Sequence, residues 1–371
     1  MNDMTCNFKT HLAVICLLGL SAGMMFNAQS YADEKDLKIN MGAGSRTSVM
    51  SGKEMTNSSG LQSQQLDFSQ ESVRLYVNGK VHKNVGLTYN TEMDGEGHIK
   101  MLDGIAQFSF SETLNLWAGR FLPPSDRSNL SGPYYITTWD LPLMMMNYPS
   151  VFAGRDEGVA IWGQTMGSKF KYQAGVFEGR EMEDANGDPT SNSKDNSLYA
   201  GRLTFNFWNA EPGYYNSSTY HGEKNIFAIG FAIQAQADGV GSVTKPGDFL
   251  GWNVDVLMEK KTSGGVVTME GAYYNFDTDN IADAIIPQGN GFFLLGGLIL
   301  PKKVGIGHLQ PHFRYQQFDR DLKKETPKQI DLGLNYIIKG HDARVSFVIS
   351  NIDPDVGKDY HQFKIGVQLQ I

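Results

Sequence analysis

The sequence predicts an all-β protein built as a single 16-stranded antiparallel β-barrel that crosses a membrane. Three observations predict it. Apolar and polar residues alternate with period two along most of the chain, the periodicity of a strand with two unlike faces. The alternating segments run mostly to 9–13 residues, whereas soluble strands average about 5–6 and tilted membrane strands need about 9–11. Short and long connections follow one another in turn, as in barrels with tight turns at one end and loops at the other.

Composition agrees. Of 371 residues 19% are charged and 11% aromatic, with 41 glycines and a net charge of −8; soluble proteins carry about 25% charge and about 7% glycine. An acidic chain without a basic face is a poor nucleic-acid binder. Abundant Tyr and Phe at low charge argue against disorder, and the glycines lack the period of three of collagen.

Residues 1–32 read as a secretory signal peptide. Lys9 supplies the positive region, Leu12 to Phe26 the apolar core, and Ser30-Tyr31-Ala32 a small-x-small cleavage site. Both cysteines, Cys6 and Cys16, fall inside it. The barrel domain, 33–371, therefore has no cysteine, which removes disulfides, thiol catalysis and thiolate metal sites together. Beyond residue 32 the longest apolar run is Phe292 to Leu300, too short for a helical span. A membrane-crossing chain of this kind must close as a barrel to pair its backbone.

Sixteen strands are expected in order: 37–49, 66–78, 81–93, 99–110, 113–121, 156–166, 170–179, 197–208, 225–237, 249–261, 266–278, 290–300, 307–318, 328–340, 342–352 and 360–371. Leu37, Ile39 and Met41 set the parity of the first, Val73, Leu75 and Val77 that of the second, and Val85, Leu87 and Tyr89 that of the third. Phe227, Ile229, Phe231 and Ile233 do so for the ninth, Leu250, Trp252, Val254, Val256 and Met258 for the tenth. Leu332, Leu334, Tyr336 and Ile338 mark the fourteenth; Phe363, Ile365, Val367 and Leu369 mark the last. Aromatics near strand ends (Tyr89, Phe110, Phe207, Trp252, Tyr273, Tyr315, Tyr336) fit interfacial girdles. Tight turns are expected at Gly79-Lys80, Ser111-Glu112, Gly167-Ser168, 262–265, 301–306 and His341. Longer loops are expected at 50–65, 122–155, 180–196, 238–248, 279–289, 319–327 and 353–359. The connection 209–224 is long for a turn and 94–98 short for a loop. The chain ends on Ile371 where barrel strands commonly end on an aromatic.

The segment from about 107 to 180 resembles the phosphate-selective porin (porins O and P) family. The resemblance rests on Leu116-Trp117-Ala118-Gly119-Arg120-Phe121-Leu122-Pro123-Pro124, then Arg155-Asp156-Glu157-Gly158-Val159 through Gly163. Tyr172 to Gly179, Tyr199-Ala200-Gly201-Arg202-Leu203 and Phe313 to Asp319 continue it. It implies a trimeric, sixteen-stranded outer-membrane channel whose third external loop, here 122–155, folds into the lumen. Five prolines (Pro123, Pro124, Pro133, Pro142, Pro149) and Tyr134, Tyr135, Trp139, Tyr148 and Phe152 favour an ordered loop, with Met144-Met145-Met146 an apolar patch for the wall. Phosphate channels of the family use arginine ladders; this loop has Arg127 and Arg155 against Asp126 and Asp140.

Strand parity places Arg46, Arg74, Arg120, Arg202, Arg314 and Arg344 in the lumen with Lys38, Lys171, Lys261, Lys339 and Lys364. Facing them are Glu92, Asp103, Asp156, Asp255, Glu259, Glu270, Asp331 and Asp342. Eleven bases against eight acids predict a weakly anion-preferring or nearly unselective pore, since rings of charge set selectivity. Each such residue has a plainer reading, as half of a pair that braces the wall. The residues expected to line the pore and set its selectivity are Arg46, Arg74, Arg120, Arg127, Arg155, Arg202, Arg314, Arg344, Asp103, Asp255, Glu270 and Asp331.

No catalytic or cofactor pattern emerges. His308 and His312 share a face but no third ligand accompanies them, and Asp184-Ala185-Asn186-Gly187-Asp188 has its glycine in the wrong place for an EF-hand. The expected function is passive diffusion of small hydrophilic solutes or ions across the outer membrane of a Gram-negative bacterium, with no cofactor and no nucleic acid. The expected partners are outer-membrane lipid and two further copies of the chain. The alternative is a non-channel barrel that uses its loops as an adhesin.

Overall fold

A computed structural model describes residues 38–52, 55–56, 62–63, 66–93, 97–148, 154–184, 186–283, 285–354 and 359–371. The expected signal peptide 1–32 lies outside the described residues, as do Pro149 and Phe152.

Sixteen long strands form the wall: β1 (Lys38–Ser51), β2 (Asp67–His82), β3 (Val85–Met93), β4 (Ile99–Ser111), β5 (Leu114–Phe121), β6 (Asp156–Thr165), β7 (Phe170–Phe177) and β8 (Leu198–Asn206), followed by β9 (Ile226–Ser242), β10 (Lys245–Thr262), β11 (Gly265–Asp277), β12 (Gly289–Ile299), β13 (Gly307–Arg320), β14 (Lys328–Lys339), β15 (Ala343–Asp353) and β16 (Tyr360–Gln370). Each pairs antiparallel with the next, and β1 pairs with both β2 and β16. The ring is closed and leaves no edge strand exposed. Short pairs at Met55–Thr56 with Gln62–Ser63, and Lys303–Val304 against β13, add to the hairpins.

Strand ends agree with the sequence reading to within one or two residues except at two hairpins. Gly79 does not turn: it stays in the ladder, opposite Ile39 and Leu87. The turn falls at Lys83-Asn84, where the Asn84 N–H donates to His82 Nδ1 (3.3 Å). The segment 238–248, expected as a loop, instead continues β9 and β10 to a turn at Val243-Thr244. Asp238, at φ 54°, forms a bulge there, and the register shifts between Gln236 and Val240. Asp tolerates this left-handed conformation, so an apparent turn signal serves as a bulge within a long ladder.

The two faces of the wall are inverted relative to a soluble protein. Outward positions carry exposed Ile39, Met41 (79%), Phe68 (73%), Leu294, Leu332 and Leu369, while inward Arg46, Arg202, Arg314 and Arg344 are buried. Soluble monomers rarely leave a contiguous apolar patch beyond a few hundred Å², and here the apolar surface recurs on strands all around the ring. Tyr89, Phe110, Phe207 and Tyr273 stand on that surface.

Two segments occupy the interior. From the long-loop end comes 122–148, with a one-turn helix α1 (Arg127–Ser131) capped by Asp126, which accepts the Asn129 N–H at 3.1 Å. From the tight-turn end, where the turns 83–84 and 340–342 lie, comes 207–225, the connection too long for a turn. Between them lies an aromatic core: Trp117 stacks on Tyr214 at 4.5 Å and packs edge-on against Phe121 and Trp162. Apolar residues thus fill one sector of the lumen as well as the outer face.

Candidate functional site: the lumen and its inserted segments

Inward side chains of the wall hold the backbone of 122–148 rather than facing open water. Gln234 Nε2 donates to the Pro124 carbonyl (2.9 Å), Arg202 to Ser125 (2.9 Å), Gln368 to Tyr134 (3.0 Å), Arg344 to Ile136 (2.6 Å), Asn335 to Thr137 (2.8 Å) and Arg314 to Asp140 (2.7 Å). Six donors from six strands meet six loop carbonyls between Pro124 and Asp140; a buried carbonyl left unpaired costs about 1–3 kcal/mol. Lys364 adds a bidentate contact to the Asp140 carboxylate (2.8 and 2.9 Å).

Trp139 is the anchor of this docking. Its ring lies 4.1 Å from the Arg46 guanidinium carbon and 5.8 Å from that of Arg344, and its Nε1 donates to Glu71 (2.7 Å). Arg46 also donates to the Trp139 carbonyl (2.5 Å). Neither arginine forms an ion pair among the described residues; each spends its charge on an indole face and on carbonyls.

The second segment is bound as firmly. Glu259 of β10 accepts the Thr219 hydroxyl (2.6 Å) and the Tyr220 and Gly222 N–H groups (3.0 and 2.9 Å). Ser218 N donates to the Tyr135 carbonyl (3.0 Å), and its hydroxyl donates to Glu270 (2.8 Å). Arg127 of α1 grips Glu211 with two parallel bonds of 2.7 and 2.8 Å and reaches the Ser217 carbonyl at 2.7 Å. Arg127 and Glu211 are 0% and 1% exposed. The guanidinium holds the Glu211 carboxyl below its usual range against the opposing effect of burial. His341, in the turn 340–342, contacts the Thr219 carbonyl (3.0 Å) and the Tyr134 carbonyl (3.2 Å) and packs on His221 at 4.4 Å. Burial is the main cause that lowers both histidines, His341 to about 4.

The expected site residues divide accordingly. Arg127, Arg202 and Asp255 form one cluster: Arg202 is bidentate to Asp255 (2.6 and 2.9 Å), which also accepts the Arg127 N–H (3.2 Å). Glu270 meets it through Ser128 (3.4 Å). Arg314 pairs with Asp331 (2.8 Å), Arg155 with Asp103 (3.2 Å) and Arg74 with Glu92. Arg46 and Arg344 clamp Trp139.

Arg120 is not in the lumen. It lies on the outward face of β5, paired with Glu157 of β6 at 2.5 Å. The cause is an inversion of the usual pattern: Trp117 and Phe121 turn inward to the aromatic core, so apolar parity does not mark the outer face of β5. The Asp184 carboxylate accepts the N–H groups of Asn186 and Asp188 (2.8 and 3.1 Å), a turn motif closed on itself. Among the described residues no cluster of three or more His, Asp or Glu is placed to hold a metal.

A cavity of about 600 Å³ lies beside β2–β5, reaching from Leu122 and Leu130 to Glu223, Lys224 and His341 at the tight-turn end. The residues that sequence reasoning missed are Glu211, Glu71 and the cavity's Tyr76, Tyr215 and Tyr220; Trp139 was expected only as one of the aromatics that order the loop. The unusual length of 209–224 pointed only toward Glu211, Tyr215 and Tyr220.

A closed, inside-out barrel of sixteen strands with a lumen filled by inserted segments defines a porin-type architecture. Comparison with solved structures gives the same fold. The high pH structure of Pseudomonas putida OprB superposes with a TM-score of 0.64 at 9% identity, over 90% of this chain and 94% of that one. An anion-selective porin from Comamonas acidovorans gives 0.61 at 11% identity over 90% and 100%. The outer membrane channel DcaP of Acinetobacter baumannii gives 0.54 at 12% identity over 92% and 99%. No family signature matches the chain. An uncharacterized protein of Aquifex aeolicus (strain VF5) is 24% identical over 224 residues, 56% of this chain. The chain spans about half the length of that relative, 52%.

Proposed function

We propose that the chain is an outer-membrane porin of a Gram-negative bacterium, a water-filled channel for passive diffusion of small hydrophilic solutes or ions. The observation that carries this reading is the inverted wall: apolar residues outside on a closed ring, and buried charged side chains inside that hold a constricting loop. Such a ring satisfies its backbone in lipid, and the inserted 122–148 segment supplies steric sieving. The resemblance of 107–180 to phosphate-selective porins and the porin neighbours support the class.

Selectivity is proposed as weakly anion-preferring or nearly absent. Arg46, Arg74, Arg127, Arg155, Arg202, Arg314, Arg344, Asp103, Asp255, Glu270 and Asp331 act in this reading by shaping and bracing the lumen more than by presenting free charge. Assembly as a homotrimer, and removal of residues 1–32 on export, complete the proposal.

Planar-bilayer recording of the purified protein tests it. Discrete conductance steps are expected, with reversal potentials near zero in a salt gradient or shifted slightly toward anions. Absence of steps would favour a non-channel barrel, a reading to which the heavily filled lumen lends weight.

A further inference from the structure

We propose that the rim of the barrel at the tight-turn end is a docking surface for anionic phospholipid headgroups, the leaflet at that end being the periplasmic one in barrels of this kind. The proposal takes from the porin reading only that the wall lies in a bilayer; conduction plays no part in it.

Charge is sorted by end. Lys38 stands opposite Lys80 in the β1–β2 pair, and Lys83 follows in the turn. Lys260 and Lys261 close β10, Lys302 and Lys303 stand between β12 and β13, and Lys339 closes β14. All eight are exposed. Among the described residues, the acidic side chains that reach solvent at that end are Glu112, Glu223 and Asp342, and Asp342 is paired with Lys339 (3.0 Å). The other seven lysines form no ion pair among the described residues. At the opposite end the balance reverses: 180–196 holds Glu181, Glu183, Asp184, Asp188 and Asp195 against Arg180 and Lys194.

The lysines are interleaved with exposed apolar groups. Val81 (63% exposed) lies between Lys80 and Lys83, Val304 and Ile306 (68%) follow Lys303, and Ile338 precedes Lys339. Lys260 continues the outward row of Leu250, Trp252, Val254 and Met258, and its ammonium lies 5.3 Å from the Trp208 ring centroid. Trp208 packs on Phe227 at 5.6 Å, and Phe227 stacks on Phe207 at 4.8 Å. This mixture suits the headgroup boundary, where rings and lysine stems reach the apolar zone and the ammonium groups stay at the phosphates. A hydrated polyanion would meet the charge and leave the apolar tips in water. A neutral lipid would cover the tips and leave the charge without a counterpart. An anionic headgroup on an acyl chain meets both.

Two of the five tryptophans lie on the outer face, Trp208 at this rim and Trp252 halfway up β10, opposite Ile233. Trp117, Trp139 and Trp162 point inward. The test places the whole protein in phosphatidylcholine vesicles and quenches indole fluorescence with brominated phosphatidylglycerol or brominated phosphatidylcholine. Trp252→Phe leaves Trp208 as the lipid-facing reporter, and Trp208→Phe leaves Trp252. At low salt the Trp208 reporter should favour brominated phosphatidylglycerol about fivefold, the effect of one lysine at an anionic surface; the Trp252 reporter should show no preference. Salt at about 1 M, where the Debye length is about 3 Å, should shrink the preference. Lys260→Gln with Lys261→Gln should bring it within about twofold of unity. The salt series needs no lysine variant, so it decides even where that variant fails to insert. Equal quenching by the two lipids at Trp208 overturns the proposal and leaves the lipid-facing wall standing. A preference untouched by salt overturns it too, as does retention on purified peptidoglycan without any lipid preference, which would assign the rim to a hydrated polyanion. No quenching of either reporter by either lipid sinks the membrane reading and the proposal together.

Discussion

Arg127 and Glu211 join two segments that enter the barrel from opposite ends. The guanidinium of α1 and the carboxylate of 207–225 meet through bonds of 2.7 and 2.8 Å with both side chains excluded from solvent. Neither inserted segment closes on itself alone. Each completes the other's hydrogen bonding, so the filling of the lumen is cooperative between 122–148 and 207–225.

Breaking that pair should therefore loosen both segments. Arg127→Met or Glu211→Gln leaves a buried partner uncompensated, at a cost of about 3–5 kcal/mol. Replacing both, with Glu211→Met in the Arg127→Met background, should recover part of the loss. Urea unfolding in detergent measures this, and the current should become larger and noisier in each single variant. Additive costs in the double variant would show that the two residues act independently.

Asp126 gives a pH dependence with a defined sign. Burial, with the nearby Asp255 charge, pushes its carboxyl up to about 6, against the Asn129 N–H and the Tyr274 hydroxyl, which stabilise the anion. An unfolded Asp titrates near 3.9. Between about pH 4 and 6 the folded chain keeps a proton that the unfolded chain has lost, so stability falls as pH rises through that window. The span amounts to about 2–3 kcal/mol. Asp126→Asn keeps a good cap and removes the titration. The difference in urea midpoint between parent and variant should change across pH 4–6; a constant difference would rule out Asp126 as the source.

His341 pulls the other way. Burial first, then the Arg344 charge, lower it to about 4, although the carbonyls of Thr219 and Tyr134 favour its proton. Of the charged and titratable groups that act on it, Asp342 raises it and His221, the neighbouring ring at 4.4 Å, is itself held neutral by burial. An unfolded His titrates near 6.5. Between about 4 and 6.5 the unfolded chain binds the extra proton, so stability is full above 6.5 and is lost as pH falls. The effect is local to the tip of the second segment. Amide exchange of 217–222, corrected for intrinsic rate, should accelerate from pH 7 to 5 in the parent and change much less in His341→Gln. Identical acceleration in both would exclude the histidine.

The wall was legible because lipid on one side and water or polar protein on the other impose one rule on every strand. Sixteen segments follow from that alternation, most to within two residues. Legibility failed where a second apolar environment exists inside. The Tyr273-Tyr274 and Phe292-Phe293 doublets put an aromatic on each face, Tyr274 and Phe293 being buried inward. In β5 the same effect turned Arg120 outward. The partner of Arg127 was hidden for another reason: 207–225 has no periodicity, and its contacts are with residues up to 124 positions away, which no local pattern encodes.

Gly366 and Trp139 offer the sharpest test of loop docking. The indole lies flat over Gly366, and a Cβ there would stand 2.6 Å from three of its ring atoms. The strand cannot retreat, since β16 is paired with β1 on one side and β15 on the other. The ring cannot easily slide either, being held between Arg46 and Arg344 with its Nε1 on Glu71. Gly366→Ala should therefore cost about 1–3 kcal/mol, the usual range for overpacking, and destabilise the docked loop, seen as added current noise. In a Trp139→Ala background the obstruction is gone. There the same substitution should be neutral or stabilising by up to about 1 kcal/mol, as replacing glycine within a strand allows. This change of sign between backgrounds, read by urea unfolding, is the signature of contact between the two residues. An equal cost in both would mean that the glycine is required by the strand and not by the indole that crosses it.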